Sequence, residues 1–198
     1  TTLIQEPSKR KSVSKKIYPK TVFLKRRSKF ERLFKGFYSL RGVTYVTSPE
    51  FLLDLYIKYD FETVELVIGD GIVDGYKKEL DGNEQLIERL FSRVEDGSLI
   101  VHGTKATIHS KIYILMNENI TRVICGSPNL SRNAEGNRQR EYAWYVDIDR
   151  DDYDSLSFLE QINDDFSEHL EESDIVRFME DLQKLRKNSE NEKREDFL

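Results

Sequence analysis

Two short runs rich in β-branched residues, Gly42-Val43-Thr44-Tyr45-Val46-Thr47 and Val64-Glu65-Leu66-Val67-Ile68, flank the triplet Ser48-Pro49-Glu50. A hydroxyl cap, a proline at the first helical position and an acid in the first turn start a helix. Phe51, Leu52, Leu55 and Tyr56 then recur at the spacing of one helix face. A strand, a helix and a second strand make a βαβ unit, which predicts a parallel strand pair. The fold class follows as α/β.

The rest of the chain extends this pattern. Leu86, Ile87, Leu90, Phe91 and Val94 predict a helix over 83–95, and Asp96-Gly97 turns the chain into a strand over 98–101. Strands are expected at Ile108–Leu115, Thr121–Cys125 and Arg140–Ile148, then a helix over 152–170. A last amphipathic helix is expected over 174–187. Upstream, Ser28 caps a helix carrying Phe30, Leu33, Phe34 and Phe37, and Val22-Phe23-Leu24 adds an edge strand. The expected architecture is a mixed, largely parallel sheet with helices on both faces, an αβα sandwich. There is no internal repeat.

Charge divides the 198 residues into three zones: +10 over 1–35, -4 over 36–146 and -11 over 147–198. We expect a basic flexible arm (1–27), a central folded domain (28–170) and an acidic C-terminal helix and tail (171–198). A basic arm binds polyanions or serves as a solvated tail. Cys125 is the only cysteine, which excludes an intrachain disulfide and suits a reducing compartment. No apolar run reaches the ~18 residues of a membrane span, and no hydrophobic signal segment opens the chain. The expectation is a cytoplasmic protein without a membrane partner.

The chemistry concentrates in two places. His109-Ser110-Lys111 lies in the expected Ile108–Leu115 strand, so the imidazole and ammonium, two residues apart, would share a face. Gly126-Ser127-Pro128-Asn129 follows the next strand. Imidazole, ammonium, hydroxyl and carboxamide together suit a phosphate, with one group attacking and the others neutralising or donating. Glu141 begins a further strand, and Arg132, Arg138 and Arg140 precede it. A zinc site from His102, His109 and Cys125 fits no familiar spacing. Gly69-Asp70-Gly71 is a turn, because no Gly-Lys-Ser/Thr follows it.

The paired motifs, His109-Ser110-Lys111 and Gly126-Ser127-Pro128-Asn129, resemble those of the phospholipase D superfamily. That signature also carries an Asp separated from the Lys by four residues, where this chain has Met116, with Asn117 and Glu118 beside it. The resemblance implies a metal-independent phosphodiesterase with no cofactor. His109 would attack phosphorus, Lys111, Asn129 and Ser127 would hold the phosphate, and Glu141 would orient the imidazole. A second histidine must protonate the leaving group from the far side of phosphorus. One motif per chain therefore implies a homodimer with the active site at the interface. The expected function is a nuclease, an endonuclease on DNA rather than RNA, either a free enzyme or the nuclease module of a restriction, defence or helicase protein. Lys25, Arg26, Arg27, Arg132, Arg138 and Arg140 would grip the nucleic-acid backbone. The alternatives are a weakly catalytic nucleic-acid-binding module of the same fold, or a phospholipase or small-molecule phosphodiesterase.

Overall fold

The two β-branched runs flanking Ser48-Pro49-Glu50 pair in parallel, with Val43 beside Val67 and Thr44 beside Ile68. The computed structural model describes residues 18–24, 30–45, 47–69, 80, 83–104, 108–130 and 141–174, together with 183, 184 and 187. Within them the strands are β1 (Lys20–Leu24), β2 (Ser39–Thr44), β3 (Thr63–Ile68), β4 (Leu99–Thr104), β5 (Ile112–Met116), β6 (Ile120–Gly126), β7 (Glu141–Asp149) and β8 (Ser173–Asp174). The helices are α1 (Pro49–Tyr59), α2 (Glu84–Glu95) and α3 (Tyr153–Glu171). The eight strands form one sheet in the order β1-β7-β6-β5-β2-β3-β4-β8.

The α/β class and the mixed sheet are as expected, but the parallel share is smaller. Among the described strands, β2–β3 and β3–β4 are parallel and the other five pairings are antiparallel. Connections explain the difference. Helices α1 and α2 lie between β2, β3 and β4 in the chain, whereas residues 117–119 alone join β5 to β6. A tight turn can only make antiparallel neighbours. At the other end, Asp174, where a last helix was expected to begin, pairs with Gly103 as part of β8. Most of the expected helix beyond it lies outside the described residues, as does most of the arm over 1–27.

Local chemistry sets the helix ends. The Ser48 hydroxyl accepts from the Phe51 N–H at 3.3 Å, Pro49 occupies the first turn, and Asp60 closes α1 in the left-handed region at φ 56°. Asn83 caps α2 in the same way, accepting from Leu86 N–H at 3.2 Å. The helix predicted from Ser28 is shorter than expected: it ends at Glu31, and turns carry the chain to Gly36. Phe30, Leu33, Phe34 and Phe37 are buried all the same.

Helices cover both faces of the sheet. On one, Phe51, Leu52 and Leu55 of α1 and Leu90 of α2 pack with Leu40, Leu66, Ile68 and Tyr113. On the other, Phe166 of α3 meets Val43 and Val67, while Phe158, Leu159 and Ile162 cover Val123, Val146 and Ile148. Arg122 pins the Phe30–Phe37 segment to the sheet. It holds Asp147 through two hydrogen bonds at 2.6 and 2.9 Å and donates to the Leu33 carbonyl at 2.9 Å.

A polar cluster sits on the α3 face. Arg41 of β2 donates to Glu65 of β3 at 2.8 Å, and His102 of β4 lies 3.3 Å from the other Glu65 oxygen. The His102 hydrogen bond, then the Arg41 hydrogen bond and charge, hold the Glu65 carboxyl below its ordinary range despite partial burial. Because the folded pKa lies below the unfolded one, this group stabilises the fold at neutral pH. That contribution disappears as pH falls through the folded pKa. Glu65→Gln should therefore lower stability at pH 7 and shrink the loss of stability on acidification, as read from urea unfolding between pH 7 and pH 3.

Candidate active site

One edge of the sheet gathers the motif residues. Strand β2 ends there at Thr44, and β5, antiparallel to it, begins there with Ile112 opposite Val43. Strand β6 runs back to the same edge, with Cys125 opposite Ile112 and Gly126 opposite Ala143 of β7. Strand β1 also ends at this edge, Leu24 opposite Glu141.

His109 and Lys111 precede β5 rather than lying within it, a correction to the expected register. The strand begins at Ile112, although the Lys111 carbonyl still accepts the Gly126 N–H at 3.2 Å. The Lys111 ammonium folds back to donate to the His109 carbonyl at 2.8 Å. The exposed His109 imidazole lies nearly parallel to the Tyr45 ring, 15° between planes and 5.9 Å between centroids.

The second motif is held more tightly. Ser127 exchanges backbone and side-chain hydrogen bonds with Tyr142: its N–H donates to the Tyr142 carbonyl at 2.9 Å, and its hydroxyl accepts the Tyr142 N–H at 3.0 Å. The same hydroxyl donates to the Glu141 carboxylate. Glu141 thus meets Ser127, whereas the resemblance implied a bond to His109. Thr44 donates to the Asn129 side-chain oxygen at 3.2 Å. Tyr113, fully buried, donates from its hydroxyl to the Pro128 carbonyl at 2.7 Å and lies 3.3 Å from the Thr44 hydroxyl. Burial drives the Tyr113 phenol well above its ordinary pKa, so it stays a neutral donor. Gly126 is obligatory here, because a Cβ would run into the Tyr142 carbonyl oxygen and the Ala143 backbone.

Comparison with known proteins bears on this geometry. Residues 43–176 match the family described as the NgoFVII restriction endonuclease N-terminal PLD domain, PLD denoting phospholipase D. The chain belongs to that family. Membership places it among phospholipase D-like phosphodiesterases and nucleases. Two solved structures share the fold. The phospholipase D family member Nuc from Salmonella typhimurium is 17% identical at TM-score 0.52, covering 80% of this chain and 97% of Nuc. Phosphatidylserine synthase from Haemophilus influenzae Rd KW20 is 18% identical at TM-score 0.54, covering 91% of this chain and 47% of the synthase. Among curated proteins nothing matches.

In this PLD domain, several sequence candidates fall elsewhere. Lys25, Arg26, Arg27, Arg132, Arg138 and Arg140 lie outside the described residues. Cys125 belongs to the apolar cluster under α3, and burial pushes its thiol up to about 11. His102 is engaged by Glu65 on β3. Among the described residues no group of three or more His, Cys, Asp or Glu side chains gathers to hold a metal ion, and no helix is long and apolar enough to cross a membrane. Sequence reasoning missed Thr44, Tyr45 and Tyr113. Each had been read as a strand residue, and no local signal separates it from its neighbours.

Tyr113→Phe tests the loop's anchorage. It leaves the buried Pro128 carbonyl unpaired, which costs about 1–3 kcal/mol. The expected result is a lower urea midpoint with native far-UV circular dichroism, together with reduced phosphodiesterase turnover.

Proposed function

We propose that this protein is a metal-independent nuclease that cleaves DNA as a homodimer through a phosphohistidine. The observation that carries the reading is the meeting of both motif halves at one sheet edge, with Lys111 hydrogen-bonded to His109 and Asn129 held by Thr44. The match to a restriction endonuclease PLD domain supports DNA as the substrate.

In this mechanism a ring nitrogen of His109 attacks phosphorus, and the bond to the leaving oxygen breaks on the opposite side. That oxygen takes a proton from the partner subunit's His109. Water then attacks the phosphohistidine, gives its proton to the now-neutral second imidazole, and restores both rings. Lys111 neutralises the equatorial oxygens, the role that metal ions play in other phosphoryl-transfer sites. Thr44 occupies the Asn129 carbonyl oxygen, which leaves the amide end to donate to the same oxygens. Glu141 fixes Ser127 and with it the turn before Asn129; its further role is to orient the imidazole when the dimer closes on substrate. Lys25, Arg26, Arg27, Arg132, Arg138 and Arg140 supply backbone affinity.

Labelled single-stranded and duplex DNA should be cut in excess EDTA. His109→Ala should abolish cutting with native circular dichroism, and Lys111→Ala should slow it by on the order of 10²–10³. Activity that disappears in EDTA and returns with magnesium would reject the mechanism, and cleavage of phosphatidylcholine alone would reject the substrate.

Stoichiometry gives a separate check. The active species should sediment as a dimer, and mixing His109→Asn chains with wild-type chains should give heterodimers that do not turn over. A fully active monomer at assay concentration would remove the interface site.

A further inference from the structure

Four large hydrophobic side chains are exposed among the described residues: Tyr18, Tyr45, Ile57 and Tyr142. Two of these adjoin the motif halves. Tyr45 follows β2 with its ring nearly parallel to the His109 imidazole, and the Tyr142 backbone makes two hydrogen bonds with Ser127, its carbonyl accepting the Ser127 N–H and its N–H donating to the Ser127 hydroxyl. A single exposed ring is ordinary on a protein surface. These two differ in being backed and fixed.

Tyr142 is 61% exposed, yet its backbone is in the β7 ladder and its ring leans on Phe23 of β1, 4.7 Å between centroids. Tyr45 is 38% exposed, and Gly69 makes room for its ring: a Cβ at position 69 would come within 2.9 Å of the ring carbon Cδ2. Each ring is thus supported from the protein side and keeps surface toward solvent. A held aromatic surface beside a phosphate site is what a nucleobase stacks on, at little entropic cost.

We propose that Tyr142 and Tyr45 form a nucleobase-stacking subsite at the phosphate-binding edge, so that the substrate is a strand whose bases beside the cleaved bond are unstacked. Bases inside a duplex already stack on one another, so single-stranded or locally opened nucleic acid is the favoured class. This rests on the nuclease reading above and narrows its substrate.

The test compares binding of two fluorescein-labelled strands of equal length and charge, one oligothymidylate and one of abasic sugar-phosphate, by anisotropy. The wild-type protein should prefer the strand with bases. Tyr142→Ala should weaken oligothymidylate binding about ten-fold, and the preference over the abasic strand should collapse. Tyr142→Phe and Tyr142→Trp should restore the preference, and Tyr45→Leu should reduce it. Equal weakening on both strands, or no preference in the wild type, overturns the proposal. So does loss of the dimer by sedimentation in Tyr142→Ala, which would make this ring a contact between copies. Because binding is read without turnover, a failure to cut DNA in EDTA would strike the nuclease reading alone.

Discussion

One buried hydroxyl ties the site together. Tyr113 stands at the second position of β5, against Gly42 of β2, where a side chain larger than hydrogen would press on its ring: a Cβ there would lie 2.9 Å from Tyr113 Cδ1. The aromatic ring is packed by Phe30 and Phe34, with centroids at 6.0 and 6.2 Å. From this fixed body the hydroxyl reaches the Pro128 carbonyl, and the Thr44 hydroxyl beside it holds Asn129. The core thus sets the position of the second motif through a phenol that burial keeps protonated. Interior packing of this density leaves the loop little room to drift. Gly42, Tyr113, Thr44 and Asn129 act as one unit although they come from β2, β5 and the loop after β6.

How much of this was legible in the sequence depends on the range of the interaction. The βαβ unit was legible because Ser48, Pro49 and Glu50 act on their own helix, within one turn. The helix at 84–95 and the turn at Gly97 were legible for the same reason, Gly97 taking a positive φ of 75°. The sheet is less parallel than its strand sequences suggest because strand direction depends on whether a helix or a tight turn intervenes, which the sequence of β5, β6 or β7 alone does not encode. The Phe30–Phe37 segment kept its burial and lost most of its helix, since burying aromatic rings needs no regular backbone. In the site, His109, Lys111, Ser127 and Asn129 were legible as a motif. Thr44 was not, because its partner Asn129 lies 85 residues away. The Ser127–Glu141 contact joins residues 14 apart in sequence and likewise leaves no local pattern.

Alternation along the strands also separates chemistry from scaffolding. On β6, Val123 and Cys125 face α3, while Ile124 joins the opposite core. A thiol next to a motif looks reactive in sequence, but this one sits in an apolar layer where the thiolate is disfavoured. His102 follows the same logic on β4. It alternates with Val101 of the core and joins Arg41 and Glu65 on the α3 face, where the three side chains link β2, β3 and β4. Their attachment to α3 is through Arg41, whose guanidinium lies 4.5 Å from the Phe166 ring centroid. The cluster therefore reads as a structural clasp between sheet and helix.

Met116 stands where the superfamily signature places an acid, and the strand direction shows what that exchange touches. Strand β5 runs from Ile112 at the end that carries the motif residues to Met116 at the other, roughly 13 Å at ordinary strand rise. Residue 116 is therefore at the far end of the strand from His109 and Lys111. The next residue, Asn117, does the work needed there. Its side-chain oxygen accepts the N–H groups of Asn119 and Ile120 at 3.0 and 2.8 Å, and its amide donates to the Gly36 carbonyl at 2.9 Å. A carboxylate could accept the same two N–H groups but could not make the third bond. The carboxamide therefore closes the β5–β6 turn and ties it to the Phe30–Phe37 segment, which packs on Tyr113. The register that sets Lys111 beside Gly126 is kept by the ladder between β5 and β6, independently of the side chain at 116.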